Sequence, residues 1–149
     1  MSVPRLPRVV SPVTTLFTRD GIEVALVSVE LWPQHLVVRL AAIPNEITAD
    51  RQRRYEMELE RWGEAASGDP PEQPGTRLLA ALRLAVEDDV GTAYAPRSSN
   101  TGGTGSEWHG DWFFAAEVPE SVGRLTIRVA VTDGKAATVD LDLTNPPEP

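Results

Sequence analysis

The pattern that most constrains this chain is two-residue hydrophobic alternation in short runs, each closed by turn residues. Successive side chains on an extended strand point to opposite faces, so such runs build half-buried strands. Val13 to Thr18 is the first run, and Arg19-Asp20-Gly21 turns it, the glycine accepting a positive φ. Ile22 to Leu31 follows, with Val24 and Leu26 on one face and Ala25, Val27, Val29 and Leu31 on the other. Apolar residues on both faces predict a strand covered on both sides. Trp32-Pro33-Gln34 breaks the run, because proline cannot donate to a central ladder. Leu36 to Ile43 resumes it, and the three segments predict a meander.

The period then changes. Thr48 to about Ala66 is rich in helix formers, with Thr48 as the expected N-cap. Tyr55, Leu59, Trp62 and Ala66 recur at helical spacing and form one narrow apolar stripe on a charged helix. Ser67-Gly68-Asp69-Pro70-Pro71 ends that helix, and residues 67–76 read as a linker.

Strands return with Leu78 to Glu87, read as one alternating strand. Asp88 to Gly91 is a turn and Thr92 to Ala95 the return strand; residues 97–107 are a Gly-, Ser- and Thr-rich loop. Trp108 to Val118 and Arg124 to Thr132 alternate again, Asp133-Gly134 is a hairpin signal, and Ala137 to Leu143 closes the series. Residues 1–11 form an arm and 145–149 a Pro-rich tail.

About eight short strands at this spacing, with one inserted helix at about 48–66, predict a mainly β chain of two packed antiparallel sheets. A closed barrel is the rival, and a parallel α/β sheet is disfavoured because strands do not alternate with helices. At 149 residues the chain fits a single domain over 1–149. The second half, through Leu84 to Tyr94, Trp112-Phe113-Phe114 and Arg124 to Val129, resembles immunoglobulin-like β-sandwich domains of small uncharacterised bacterial proteins. The resemblance covers roughly residues 77 to 144. It implies a sandwich and supplies no catalytic motif.

Charge and composition exclude several functions. There are 22 acidic and 14 basic residues, for a net charge of −8, which disfavours nucleic-acid binding. The absence of cysteine excludes disulfides and thiol chemistry. No apolar run approaches the roughly 20 residues of a membrane span. Without an export signal the expected location is the cytoplasm.

The chemistry-bearing candidates are few. Asp88 and Asp89 could contribute to a cation site, since hard cations take carboxylate oxygens, but Asp-Asp-x-Gly is also an ordinary turn. The 98–106 run suggests a phosphate cradle, yet it has no lysine and leads into a strand, so a connection or a partner-binding loop is the better reading. His109 and Asp111 share a strand face and could serve a hydrolase with a loop serine. Neighbours on one strand face stand about 6–7 Å apart, and no nucleophile elbow is present. Two histidines alone make a zinc site weak. Tyr55, Leu59 and Trp62 on the helix, with Asn100, Thr101 and Trp108 near the loop, are the candidate partner-binding residues. The first expectation is a non-enzymatic interaction or assembly module that binds a protein partner or a second copy of itself. A small-ligand or cation-binding sandwich is the alternative, and no cofactor is implied.

Overall fold

The Asp20-Gly21 pair sets the first hairpin. Asp20 has φ 53° and Gly21 φ 81°, the consecutive positive values of a type I′ turn, whose twist matches the strands it joins. In the computed structural model, which describes residues 6–65, 67–104, 107–131 and 136–143, this turn links β2 (Thr14–Arg19) to β3 (Ile22–Leu31). β4 (His35–Ala42) returns antiparallel beside β3, completing the expected meander.

The two faces of β3 differ from the sequence reading. The β3–β4 register shifts between Leu26 and Ser28. One extra residue there changes the parity of the alternation. Val29 and Leu31 thereby join Ile22, Val24 and Leu26 on one buried face, all at most 3% exposed. A bulge, rather than cover on both sides, explains most of the apparent double-sided apolarity.

The expected arm is partly structured. β1 (Arg8–Val10) pairs with the far half of the β3 edge that β2 also uses. The Arg8 guanidinium donates to the carbonyls of Val122 (2.9 Å) and Pro119 (3.1 Å).

Helix α1 (Glu46–Ala65) follows β4. Its cap is Asn45, not Thr48: the Thr48 amide donates to Asn45 Oδ1, and the Asn45 amide donates to Thr48 Oγ1, both at 2.9 Å. This reciprocal box satisfies two otherwise orphaned donors and buries Thr48 in the first turn.

Two further expectations are corrected. The segment read as one strand from Leu78 is a short helix, α2 (Pro74–Leu79), followed by β5 (Arg83–Asp88). Proline suits a helix start, and Leu78 and Leu79 are both buried, which adjacent positions of a one-sided strand cannot achieve. The linker therefore ends at Gln73. Second, most of the 97–107 loop is β6 (Ala95–Thr104), paired along its length with β7 (Glu107–Ala115), while Thr92 to Tyr94 is not strand. β6 lacks hydrophobic alternation because α2 lies against β6 and β7, and polar Thr101 meets Thr76 of α2 there, their hydroxyls 3.2 Å apart.

β8 (Arg124–Ala130) and β9 (Ala136–Asp142) complete the fold. The Asp133-Gly134 hairpin signal and the 145–149 tail lie outside the described residues. Nine strands among the described residues form two antiparallel sheets. One runs β1-β3-β4-β7-β6, with β2 also on β3; the other runs β5-β8-β9. Neither closes into a barrel. One hydrophobic cluster draws on both sheets, including Leu26, Val38 and Phe114 from the first and Leu84, Ile127 and Leu141 from the second. Among the described residues no helix is long and apolar enough to cross a membrane.

Candidate functional site

The two sheets do not cover each other completely, and each open margin carries a cleft. The larger lies where β2, an edge of the first sheet, approaches β9, an edge of the second. The inward positions of β9 are Ala137, Val139 and Leu141, opposite Val129, Ile127 and Leu125 of β8. Leu141 is buried, whereas Ala137 and Val139 are only half-buried, so cover fades toward the start of the strand. On the other wall Leu16 and Phe17 are also half-buried. The resulting cleft has a volume of about 710 Å³, and its lining includes Leu16, Phe17, Arg19, Asp20, Val131, Ala137 and Thr138. That lies within the usual 300–1,000 Å³ of a small-molecule site.

Arg19 is the unusual member. It is half-buried, and its Nη1 is buried without a hydrogen-bond partner. Asp20 is 3.9 Å from Arg51 and its side chain is 64% exposed.

The opposite margin, between β5 and β6, holds a cleft of about 480 Å³ lined by Arg83, Leu84, Arg97, Ser98 and Phe113, among others. Both of its arginines are exposed, so water already solvates their charges.

The residues singled out in the sequence are dispersed. Trp108 is 3% exposed and belongs to the core; a Cβ on Gly75 of α2 would lie 2.7 Å from its Cγ. It is a packing residue, not a partner-binding one. Tyr55 is half-buried in a small depression with Gln52, Gly75, Gly103 and Trp108. Thr101 belongs to this corner through Thr76. Leu59 and Trp62 lie farther along α1, 37% and 36% exposed, and the Trp62 indole donates to the Gly68 carbonyl at 3.0 Å. Asn100 stands opposite Asp111 on the exposed face of β6 and β7.

His109 and Asp111 share that face, but Asp111 is bonded elsewhere. Its Oδ1 accepts from Arg39 Nη1 at 3.3 Å, and Arg39 also grips Glu30 at 2.8 Å. The carboxylate thus serves an ion-pair network instead of orienting the imidazole.

The acidic turn is built as a turn. Asp88 Oδ1 accepts from the amides of Val90 (3.0 Å) and Thr92 (2.9 Å), and Oδ2 accepts from the Tyr94 hydroxyl (2.8 Å). Burial pushes the Asp88 carboxyl up, but the bonds from Thr92, Tyr94 and Val90 outweigh it and hold the group below its ordinary value. Burial first, and then the bond to Asp88, pushes the Tyr94 hydroxyl well above its ordinary value. Asp89 Oδ1 accepts from the Gly123 amide at 3.1 Å. Among the described residues no group of three histidines, aspartates or glutamates could hold a metal ion.

No family model and no curated protein matches the chain. The chain is similar in structure to a conserved domain protein from Bacillus anthracis, at 12% identity and a TM-score of 0.48. The likeness covers 97% of this chain and 52% of that one, so the chain spans about half the length of that protein.

Sequence reasoning did not find the β2–β9 cleft. Its two walls lie more than 110 positions apart, and only the packing of one sheet on the other brings them together. One signal was present: an arginine, Arg19, at the end of an otherwise uncharged strand.

Proposed function

We propose that this chain is a non-enzymatic binding domain on an immunoglobulin-like frame, with the β2–β9 cleft as its small-molecule site. The strand order supports the frame. Numbered from β3, one sheet runs first-second-fifth-fourth and the other third-sixth-seventh, the two-sheet order of a constant-type immunoglobulin domain. On that reading β1 and β2 extend one edge, and α1 and α2 are inserted between the second and third strands.

The observation that carries the binding reading is the cleft itself, a space of about 710 Å³ with half-buried apolar residues beside polar ones on two strand edges. It outranks the α1 stripe, where the Trp62 indole is already satisfied by Gly68. It also outranks His109 and Asp111, whose carboxylate is held by Arg39.

A neutral fluorescent probe, N-phenyl-1-naphthylamine, is expected to brighten on binding the wild-type protein. Ala137→Trp, which fills the cleft from the β9 wall, is expected to abolish that signal while far-ultraviolet circular dichroism and cooperative thermal unfolding stay native. Equal probe binding by both proteins would overturn the assignment.

A further inference from the structure

We infer that the β2–β9 cleft selects an amphipathic carboxylate, with Arg19 as its counter-charge. This rests on the cleft being a binding site and adds the chemistry of the ligand.

The inference begins with an imbalance of charge. Arg8, Arg39, Arg51, Arg53, Arg54, Arg77 and Arg128 each have a carbonyl or carboxylate partner. Arg61, Arg83, Arg97 and Arg124 are exposed, so water solvates them. Among the described residues Arg19 alone is neither exposed nor paired, and its Nη1 is closed off with no acceptor. Arg19 lines the cleft, so an acceptor for its guanidinium can come from a molecule bound there.

The geometry points to the kind of acceptor. Guanidinium offers a planar fork that matches one carboxylate, and the attraction strengthens where water is excluded. Beside it Leu16, Phe17, Val131 and Ala137 provide a surface for a hydrocarbon body. A single fork beside an apolar wall suits a monoanion with an aliphatic or aryl tail better than a phosphate, which draws on several donors. Asp20 lines the same cleft and opposes an anion, but its side chain is largely exposed and lies beside Arg51, so solvent and salt screen it.

Three eight-carbon competitors test this, each below its micelle or solubility limit: octanoate, 1-octanol and octylammonium, displacing N-phenyl-1-naphthylamine. Octanoate is expected to displace the probe from wild type at a concentration about tenfold or more below that of octanol, as for a charge-assisted bond. Octylammonium is expected to be the weakest. Arg19→Met should erase the advantage of octanoate and leave octanol unchanged, and Arg19→Lys should retain part of it. Equal displacement of the probe by octanoate and octanol from wild type would overturn the inference while leaving the cleft a binding site. Absence of probe binding to wild type would overturn both. The wild-type comparison decides the matter even if an Arg19 variant fails to fold.

Discussion

Trp108→Ala is expected to cost about 3–5 kcal/mol of folding stability, whereas Trp62→Ala costs about 1 kcal/mol or less. Trp108 is 3% exposed and lies under Gly75 of α2. Removing its ring leaves a cavity where the helix meets β6 and β7, and the surroundings cannot collapse into it without moving α2. Trp62 lies on the outer half of α1, where residues 56–65 are all exposed, and it stands to lose one hydrogen bond to Gly68. For a chain of this size the first change corresponds to a fall in melting temperature of about 6–20 °C. Urea denaturation of the two variants measures the contrast directly. Similar losses, or a larger loss for Trp62, would show that α1 and not α2 seals this end of the core.

That contrast bears on what the sequence makes legible. The strand pattern is readable because β7 and β8 keep strict parity, with Trp108, Trp112 and Phe114, or Leu125, Ile127 and Val129, on one buried face; β4 departs from it at Val37, buried between Leu36 and Val38. A hairpin such as Asp20-Gly21 is equally local, since two consecutive positive φ values demand particular residues. The misreadings share a physical origin in contacts between distant parts of the chain. Parity in β3 fails at a bulge between Leu26 and Ser28 that exists only in its pairing with β4. β6 reads as a loop because it lacks hydrophobic alternation, and its contact with α2 is made in part by polar Thr101 to Thr76. Trp108 is buried beneath α2, a helix that the sequence divides between a linker through residue 76 and a strand from Leu78. The candidate cleft is the extreme case: Phe17 and Ala137 line one space, and beyond the lone Arg19 of β2 neither strand shows that the two meet.

Asp88→Ala is expected to destabilise the chain by about 1–3 kcal/mol at neutral pH, because it strands the half-buried Tyr94 hydroxyl and frees the amides of Val90 and Thr92. The aspartate fixes the turn after β5 through two amide bonds, and through Tyr94 it fixes the entry to β6, so one side chain connects the two sheets. Its native carboxyl titrates below its ordinary value. The unfolded chain therefore takes up this proton first as pH falls, and the contribution of Asp88 is complete above about pH 5. It is lost as acid carries the solution down through the ordinary carboxylate range and then through the lower native value. Thermal unfolding of wild type and Asp88→Ala from pH 7 to pH 2.5 is expected to show a constant gap above about pH 5 that narrows steadily below about pH 4. A gap that stays constant to the acid end would mean that the ionised carboxylate is not what stabilises the turn. Calcium should leave the wild-type melting temperature unchanged at millimolar concentration, since both carboxylate oxygens of Asp88 already accept bonds from the chain.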